Sequence, residues 1–147
     1  MERCDRDLAF LLKYENVAWY EDAQVRILDR RIYPCELSYV MCDTHQEVAQ
    51  AIADMVTQSA GPYTAAGMGM ALAAYECRDM KKADQRAYLI KAADTLSHAR
   101  PTTASRMEQV TSGCLGAADQ ASARGKKLDE AIFAHTLAAL NRRHSTM

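Results

Sequence analysis

Two short stretches of this sequence carry residue types that bind anions. The first is the turn Gln58-Ser59-Ala60-Gly61, which is followed by Pro62 and a run of apolar residues. Gly and Pro at a predicted helix start leave backbone N–H groups unpaired in the first turn, and such groups attract phosphate. The side chains of Gln58 and Ser59 add neutral hydrogen-bond donors. The same residues also fit an ordinary turn that leads into a core helix.

Arg100 is the second candidate, because it lies between two predicted helices and directly before Pro101-Thr102-Thr103. A residue that precedes proline is disfavoured in helical geometry, so the chain is expected to turn here. A guanidinium fixed beside a helix N-terminus offers parallel donors that match a phosphate or a carboxylate. The alternative is that Arg100 caps the carbonyl groups at the end of the preceding helix.

The remaining residues predict neither a reaction nor a metal site. The five cysteines include no Cys-x-x-Cys pair, and the four histidines lack His-Glu-x-x-His spacing. Cys114 falls on an apolar helix face, which favours a small core residue over a nucleophile. The sequence also lacks a Ser-His-Asp pattern, a Walker loop and a dinucleotide fingerprint. We therefore expect no metal ion and no cofactor.

Composition excludes two classes of partner. Lys and Arg number 18 against 19 Asp and Glu, so no excess positive charge draws the chain to nucleic acid or to an anionic membrane. No apolar run approaches the roughly 20 residues that a membrane span needs. We expect a cytoplasmic protein in which residues 1–147 form a single domain.

The first half of the sequence predicts a small sheet. Alternating apolar residues predict a hairpin over residues 17–27 with a turn at Glu21-Asp22, and Leu37, Tyr39 and Met41 share one face of a third strand. The hairpin follows a short amphipathic helix predicted over residues 3–14.

The rest of the sequence has helical periodicity. Thr44 and Glu47 form a capping box, and the helix that follows has an apolar stripe of Val48, Ile52, Met55 and Val56. Further helices are predicted over about residues 62–76, 81–99 and 128–142, and the second of these should carry Leu89, Ala93 and Leu96 inward. Between the last two, a helix with Met107, Val110 and Cys114 on its inner face should end near Gly125, because glycine is common just after a helix C-terminus. The helix over 62–76 has no polar face, so it should be buried on all sides. The fold class is therefore a helix-dominated α+β domain, with a three-stranded antiparallel sheet followed by a bundle of about five helices.

Five stretches, in order, resemble segments of one known family. NVAWYEDAQVRILDRRIYP is similar to its opening hairpin, THQEVAQAIADMV and GMALAA to the helices around its Arg-Gly-Ala-Pro-x-Ile-Gly loop, SHARPTTASRM to its Arg-Pro-Thr-Ala-x-Asn segment, and LDEAIFAHTLAALNRRHSTM to the helix before its Gly-x-His-Gly turn. These are segments of S-methyl-5-thioribose-1-phosphate isomerases. The wider family includes ribose-1,5-bisphosphate isomerases and regulatory subunits of translation initiation factor 2B.

The resemblance implies the N-terminal domain of an aldose-ketose isomerase that acts on a ribose 1-phosphate in methionine salvage. It implies a sugar phosphate bound by the Gln58–Gly61 loop and by Arg100, which matches the arginine of the Arg-Pro-Thr segment. Gln58 stands where the family loop has arginine, and Ala104-Ser105 stands where the polar continuation of that segment would be.

The family's catalytic cysteine and aspartate lie in a C-terminal Rossmann-like half, and none of the five cysteines here matches that nucleophile. The domain is thus expected to be non-catalytic alone, with a Rossmann-like partner chain or a homodimer as its assembly and an apolar patch on its last helix for docking. The alternative is a non-catalytic regulatory or protein-interaction module of the same family. A third alternative, an unrelated helical binding domain, would lack the N-terminal sheet.

Overall fold

The computed structural model describes residues 17–32, 35–57, 61–100 and 104–145 of the 147-residue chain. Within these ranges three strands are followed by five helices, as the fold class predicts. They are β1 (Ala18–Glu21), β2 (Gln24–Leu28), β3 (Tyr39–Cys42), α1 (His45–Ala53), α2 (Gly61–Glu76), α3 (Lys82–Ser97), α4 (Ala104–Ala123) and α5 (Leu128–Ser145). The helix predicted over residues 3–14 lies outside the described residues.

The three strands form an antiparallel sheet in the order β1-β2-β3. The β1–β2 turn is centred on Asp22 and Ala23, whose φ angles of 53° and 63° are those of a type I′ turn. It lies one residue later than predicted. Val25 and Cys42 are paired across β2 and β3 and are fully buried against the helices, whereas Met41 lies on the exposed side.

The capping box at the start of α1 is confirmed. Glu47 N donates to Thr44 Oγ1 at 3.2 Å, and Glu47 Oε1 accepts from Asp43 N at 3.0 Å. The carboxylate thus reaches one residue further back than in the usual reciprocal box. Two N–H groups at the helix entrance are satisfied in this way.

The apolar stripe of α1 ends earlier than predicted. Met55 has a φ of 65° and its side chain is 47% exposed, so its predicted inward position is wrong. Val56 N donates to Ala51 O at 3.0 Å and Met55 N to Ile52 O at 3.2 Å, which together form a Schellman motif. Because Met55 occupies the left-handed position that usually holds glycine, the chain reverses there.

Helix α2 is the centre of the fold and is buried on all sides, as predicted. From Gly61 to Ala74, every residue except Tyr63 is buried. The helix packs against the other four helices and against β1 and β2. Its small residues permit this close packing: Gly67 faces the Thr136 side chain on α5, and Gly69 faces Leu96 on α3.

The three remaining helices surround α2. Leu89, Ala93 and Leu96 of α3 point inward, as predicted. Helix α4 ends in a second Schellman motif at Gly125, whose φ is 68° and whose neighbour Lys126 donates to Ala121 O at 2.8 Å.

The Cys114 side chain on α4 is 1% exposed. Burial raises the pKa of its thiol to about 11, so the thiol stays protonated at neutral pH. Since the thiolate is the nucleophilic form, this cysteine is a core residue, as predicted.

Glu76, the last residue of α2, connects three helices through one carboxylate. The Oε1 atom accepts the His45 backbone N–H at 2.7 Å and lies 3.0 Å from His45 Nδ1. The Tyr88 hydroxyl on α3 donates to Oε2 at 2.5 Å. The carboxylate therefore lies at the N-terminus of α1, where the helix dipole also favours negative charge.

We expect this carboxylate to make stability depend on pH. Burial disfavours its charged form, but the hydrogen bonds from His45 and Tyr88 outweigh that effect, so the pKa of Glu76 lies below its ordinary value of 4.5. Stability from a lowered carboxylate pKa is present above the unfolded-state value and is lost as pH falls through the folded-state value. Urea unfolding below pH 4.5 should show a falling free energy of unfolding, with a shallower slope in Glu76→Gln. An unchanged slope in Glu76→Gln, matching that of the exposed control Glu36→Gln, would contradict this role.

Candidate functional site

The candidate site lies at the N-terminus of α2. Gly61 is the first residue of this helix and is buried. Gln58, Ser59 and Ala60, the other predicted loop residues, lie outside the described residues, so their part in binding stays a prediction. The described groups around Gly61 come from three parts of the chain: the end of α1, Thr57 and Arg100.

Gly61 is in close contact with the residue four positions before it. A Cβ atom at Gly61 would overlap the Oγ1 atom of Thr57 and would lie 3.4 Å from Val17 Cγ1. Any side chain here would push Thr57 out of place, so the close contact between residues 57 and 61 requires glycine.

The Thr57 hydroxyl is buried beside this helix N-terminus. Its residue is 1% exposed, and no hydrogen-bond partner of Oγ1 is found in the part of the chain that the structure describes. Leaving a buried polar group unpaired costs about 1–3 kcal/mol, and such groups are uncommon in folded proteins. A water molecule or a polar ligand atom at this position would remove that cost.

Arg100 joins two other segments of the chain. Its Nε donates to Ile52 O at 2.7 Å, and its Nη2 donates to Thr57 O at 2.7 Å. Ile52 lies in the last turn of α1. Arg100 therefore contacts one carbonyl group of α1, that of Ile52, and the carbonyl group of Thr57, which follows this helix.

These contacts make Arg100 a positioning residue for the segment that leads into α2. Burial lowers the pKa of Arg100, yet a guanidinium remains charged at any physiological pH. Its charge therefore remains close to the Thr57 hydroxyl and to the start of α2. Nothing in the local sequence signals this arrangement, because Ile52 and Thr57 are more than 40 residues away along the chain.

The residues that follow β2 also hold this segment. Arg30 N donates to Val56 O at 2.6 Å. Just beyond, Asp29 accepts two hydrogen bonds from Arg31, at 2.9 and 2.8 Å. This forked contact lowers the pKa of Asp29 and keeps a buried carboxylate charged at the end of β2. Val56 and Thr57 are thus fixed by Arg30 and Arg100.

Two further findings concern only the described residues. No three His, Cys, Asp or Glu side chains among them lie close enough together to hold a metal ion. Within the same ranges, none of the helices has the length and apolar character needed to cross a membrane.

Comparison with known proteins gives one consistent result. No family model matches the chain. Its curated relatives include the methylthioribose-1-phosphate isomerase of Synechococcus sp. (strain ATCC 27144), 41% identical over 90 residues that cover 60% of this chain and 26% of the relative. The isomerase of Marinobacter nauticus is 33% identical over 130 residues, covering 82% of this chain and 36% of the relative.

Solved structures agree with these sequences. The 5-methylthioribose 1-phosphate isomerase from Pyrococcus horikoshii OT3 matches 83% of this chain and 35% of its own, with a TM-score of 0.70 and 25% identity. The chain is related to the N-terminal domain of methylthioribose-1-phosphate isomerases. Translation initiation factor eIF-2B, subunit delta, from A. fulgidus matches 85% of this chain and 35% of its own, with a TM-score of 0.66 and 26% identity.

The resemblance to methylthioribose-1-phosphate isomerases is thereby confirmed, and so is its partial extent. The chain spans between about a quarter and just over a third of the length of these relatives. An unrelated helical domain is excluded, because the N-terminal sheet is present. Arg100, at the position of the isomerase Arg-Pro-Thr segment, contacts backbone carbonyls here.

Proposed function

We propose that residues 1–147 form a domain that closes one side of the substrate cleft of an isomerase acting on 5-methylthioribose 1-phosphate in the cytoplasm. The catalytic groups would come from a C-terminal Rossmann-like half, in the same polypeptide or in a separate one. The observation that carries this proposal is the match to the P. horikoshii isomerase over 83% of this chain. The domain supplies binding groups and does not catalyse the reaction alone.

The N-terminus of α2 suits the phosphate of such a substrate. The first backbone N–H groups of a helix are unpaired within it, and the helix dipole adds partial positive charge. Gly61 allows the Thr57 hydroxyl to lie close to this helix start, that hydroxyl is available for a hydrogen bond, and the Arg100 charge is bound to the Thr57 carbonyl. The Gln58–Ala60 side chains would complete the contacts.

The chemistry itself needs groups that the described residues around Gly61 do not offer. Aldose-ketose isomerisation moves a proton between C1 and C2 of the sugar, which requires a positioned acid and base. The described polar side chains around Gly61 are those of Thr57 and Arg100, and neither can act as that acid or base at neutral pH. The acid and base are therefore assigned to the Rossmann-like half.

Substrate affinity should depend on residue 58. The isomerase loop that this segment resembles has arginine where this chain has Gln58. A hydrogen bond to a charged group contributes about 1.5–3 kcal/mol, so its loss weakens phosphate binding by a factor of about ten or more. The Gln58→Arg variant should recover that factor.

Calorimetric titration with 5-methylthioribose 1-phosphate tests both statements. The chain is measured alone and mixed with the complementary C-terminal part of the Synechococcus isomerase, expressed separately. We expect a complex of the two, turnover only in the mixture, and tighter substrate binding in Gln58→Arg. The same substitution at Gln120, on the exposed face of α4, serves as the control and should change nothing. Absence of both complex and binding, in the parent and in Gln58→Arg, would overturn the proposal.

A regulatory module is the second candidate. The match to the delta subunit of eIF-2B, at a TM-score of 0.66, and the neutral residue at position 58 both favour it. On this hypothesis the chain associates with a Rossmann-like half or with a second copy of itself, but no turnover appears even in Gln58→Arg. Light scattering on the same samples separates these two assemblies.

The last helix is the surface proposed for that association. Its described exposed positions include Ala134, Ala138 and Ala139 beside Glu130, and the three small apolar side chains support the proposed patch. Phe133 is not part of it, because its ring packs edge-on against Trp19 at 5.0 Å. Small residues permit close approach of another backbone.

A further inference from the structure

A cleft of about 420 Å³ lies at the opposite end of α2 from the candidate site. It is bordered by the last turn of α2, the first turn of α3 and the α4–α5 turn. The described residues that line it are Ala74, Tyr75, Arg78, Asp79, Lys82, Gln85, Ser122, Gly125, Lys126, Lys127, Leu128 and Asp129. Its volume is within the usual range of small-molecule sites.

The lining is basic although the whole chain has a net charge of −1. Four cationic side chains, those of Arg78, Lys82, Lys126 and Lys127, surround the cleft, with two carboxylates. One carboxylate, on Asp129, accepts a hydrogen bond from the Tyr20 hydroxyl at 2.7 Å. The cleft therefore has a local excess of positive charge, which raises the local concentration of anions.

Several of the lining groups are already held in place. The Arg78 guanidinium lies 3.9 Å from the centre of the Tyr75 ring and donates to Tyr75 O at 2.8 Å. Lys82 Nζ donates to Ser122 O at 3.3 Å, which connects α3 to the end of α4. Less conformational freedom is then lost when a ligand binds these groups.

The partial negative charge at the C-terminus of α2 does not cancel the positive charge of the cleft. Gln85 Nε2 donates to the carbonyl oxygens of Cys77 and Arg78, at 3.1 and 3.3 Å. With Arg78 bound to the Tyr75 carbonyl, three carbonyl groups that would repel an anion are engaged. The cleft thus combines positive charge with the apolar surface of Ala74, Tyr75 and Leu128.

We propose that this cleft is a second anion site, which binds a small phosphorylated metabolite with an apolar portion. The lysines and Arg78 would hold the phosphate, and the Tyr75 and Leu128 side chains would contact the rest of the molecule. The site is separate from the N-terminus of α2, since 16 helical residues place the two ends of that helix about 22 Å apart. It therefore does not depend on the function proposed above.

Phenyl phosphate is a suitable probe, because it combines one phosphate with one flat apolar group. NMR titration of the full chain at constant ionic strength should show saturable shifts of the Gly125 and Lys127 amides. Phenol and inorganic phosphate, tested separately, should bind more weakly than the combined molecule.

Two double variants test which charges are responsible. Lys82→Gln with Lys127→Gln removes two charges that line the cleft, and we expect binding at least about tenfold weaker. Lys81→Gln with Lys91→Gln removes the same net charge from exposed positions that do not line it, and should bind as the parent does.

Three outcomes would overturn the proposal: no saturable shift, equal weakening in both double variants, or shifts centred on Gly61 and enhanced in Gln58→Arg. The last outcome would place the probe in the candidate site at the other end of α2. A failure of the proposal for this cleft can therefore be distinguished from a failure of the isomerase proposal.

Discussion

Replacing Arg100 by alanine is expected to lower the free energy of unfolding by about 2–4 kcal/mol, because two charge-assisted hydrogen bonds are lost. The Ile52 and Thr57 carbonyls would be left without these donors. Because these two hydrogen bonds fix the segment before α2, losing them should also loosen the candidate site. Arg100→Lys should recover only part of the stability, because an ammonium lacks the planar fork that serves both carbonyls.

Arg86 provides the matched control. It is an exposed arginine on α3 whose Nε and Nη2 donate to Asp119 at 3.3 and 3.4 Å. Exposed ion pairs contribute at most about 1 kcal/mol, so Arg86→Ala should change little. Urea unfolding gives the free energies, and hydrogen exchange of the Val56 and Thr57 amides reports the loosening. Equal unfolding free energies and equal exchange in the two alanine variants would show that Arg100 does not position this segment.

Gly67→Ala should destabilise the fold by about 1–3 kcal/mol, because the added methyl group has no space. A Cβ atom at this position would lie 2.7 Å from both Thr136 Oγ1 and Thr136 Cγ2 on α5. Thr136 is 6% exposed, and its hydroxyl donates to Ile132 O at 2.9 Å, so its side chain has little freedom to move. Helices α2 and α5 would have to separate.

Gly116→Ala adds the same methyl group at a position where it meets no other atom. Gly116 lies within α4, and nothing lies within 4 Å of a Cβ atom built there. Alanine is favoured over glycine inside a helix by about 0.5–1 kcal/mol, so this variant should be more stable than the parent. Chemical unfolding of the two variants should shift in opposite directions. A stabilising Gly67→Ala would mean that the α2–α5 contact is looser than the structure indicates.

Local signals explain which parts of the fold could be predicted. Thr44 with Glu47, and Gly125 after an apolar helix face, determine helix ends through contacts within a few residues, and both predictions are confirmed. The β1–β2 turn was predicted one residue early, because Asp22 and Ala23 adopt positive φ without a glycine to indicate it. The inward position predicted for Met55 was wrong for the same reason. Helical spacing of apolar residues continues through Met55, but its backbone is left-handed and no glycine indicates this.

The candidate site could be predicted only in part. Gly61 was identified because glycine and proline mark a helix start. Thr57 was missed, since a buried hydroxyl without a partner becomes visible only once the neighbouring segments are packed. The Arg100 contacts span more than 40 residues, and no sequence pattern specifies which of several carbonyl groups an arginine meets.

The burial of α2 on all sides also has a consequence for synthesis on the ribosome. The sheet and α1 precede this helix, whereas α3, α4 and α5, which cover the rest of it, are translated later. When residue 76 has left the exit tunnel, a 16-residue apolar helix still lacks most of the surface that will enclose it. Transiently exposed apolar surface of this kind is what chaperones bind and what drives aggregation. Slower translation at the stage when residue 76 has just left the exit tunnel should therefore lower the yield of folded protein, whereas the same delay once α5 has left the tunnel should have no effect.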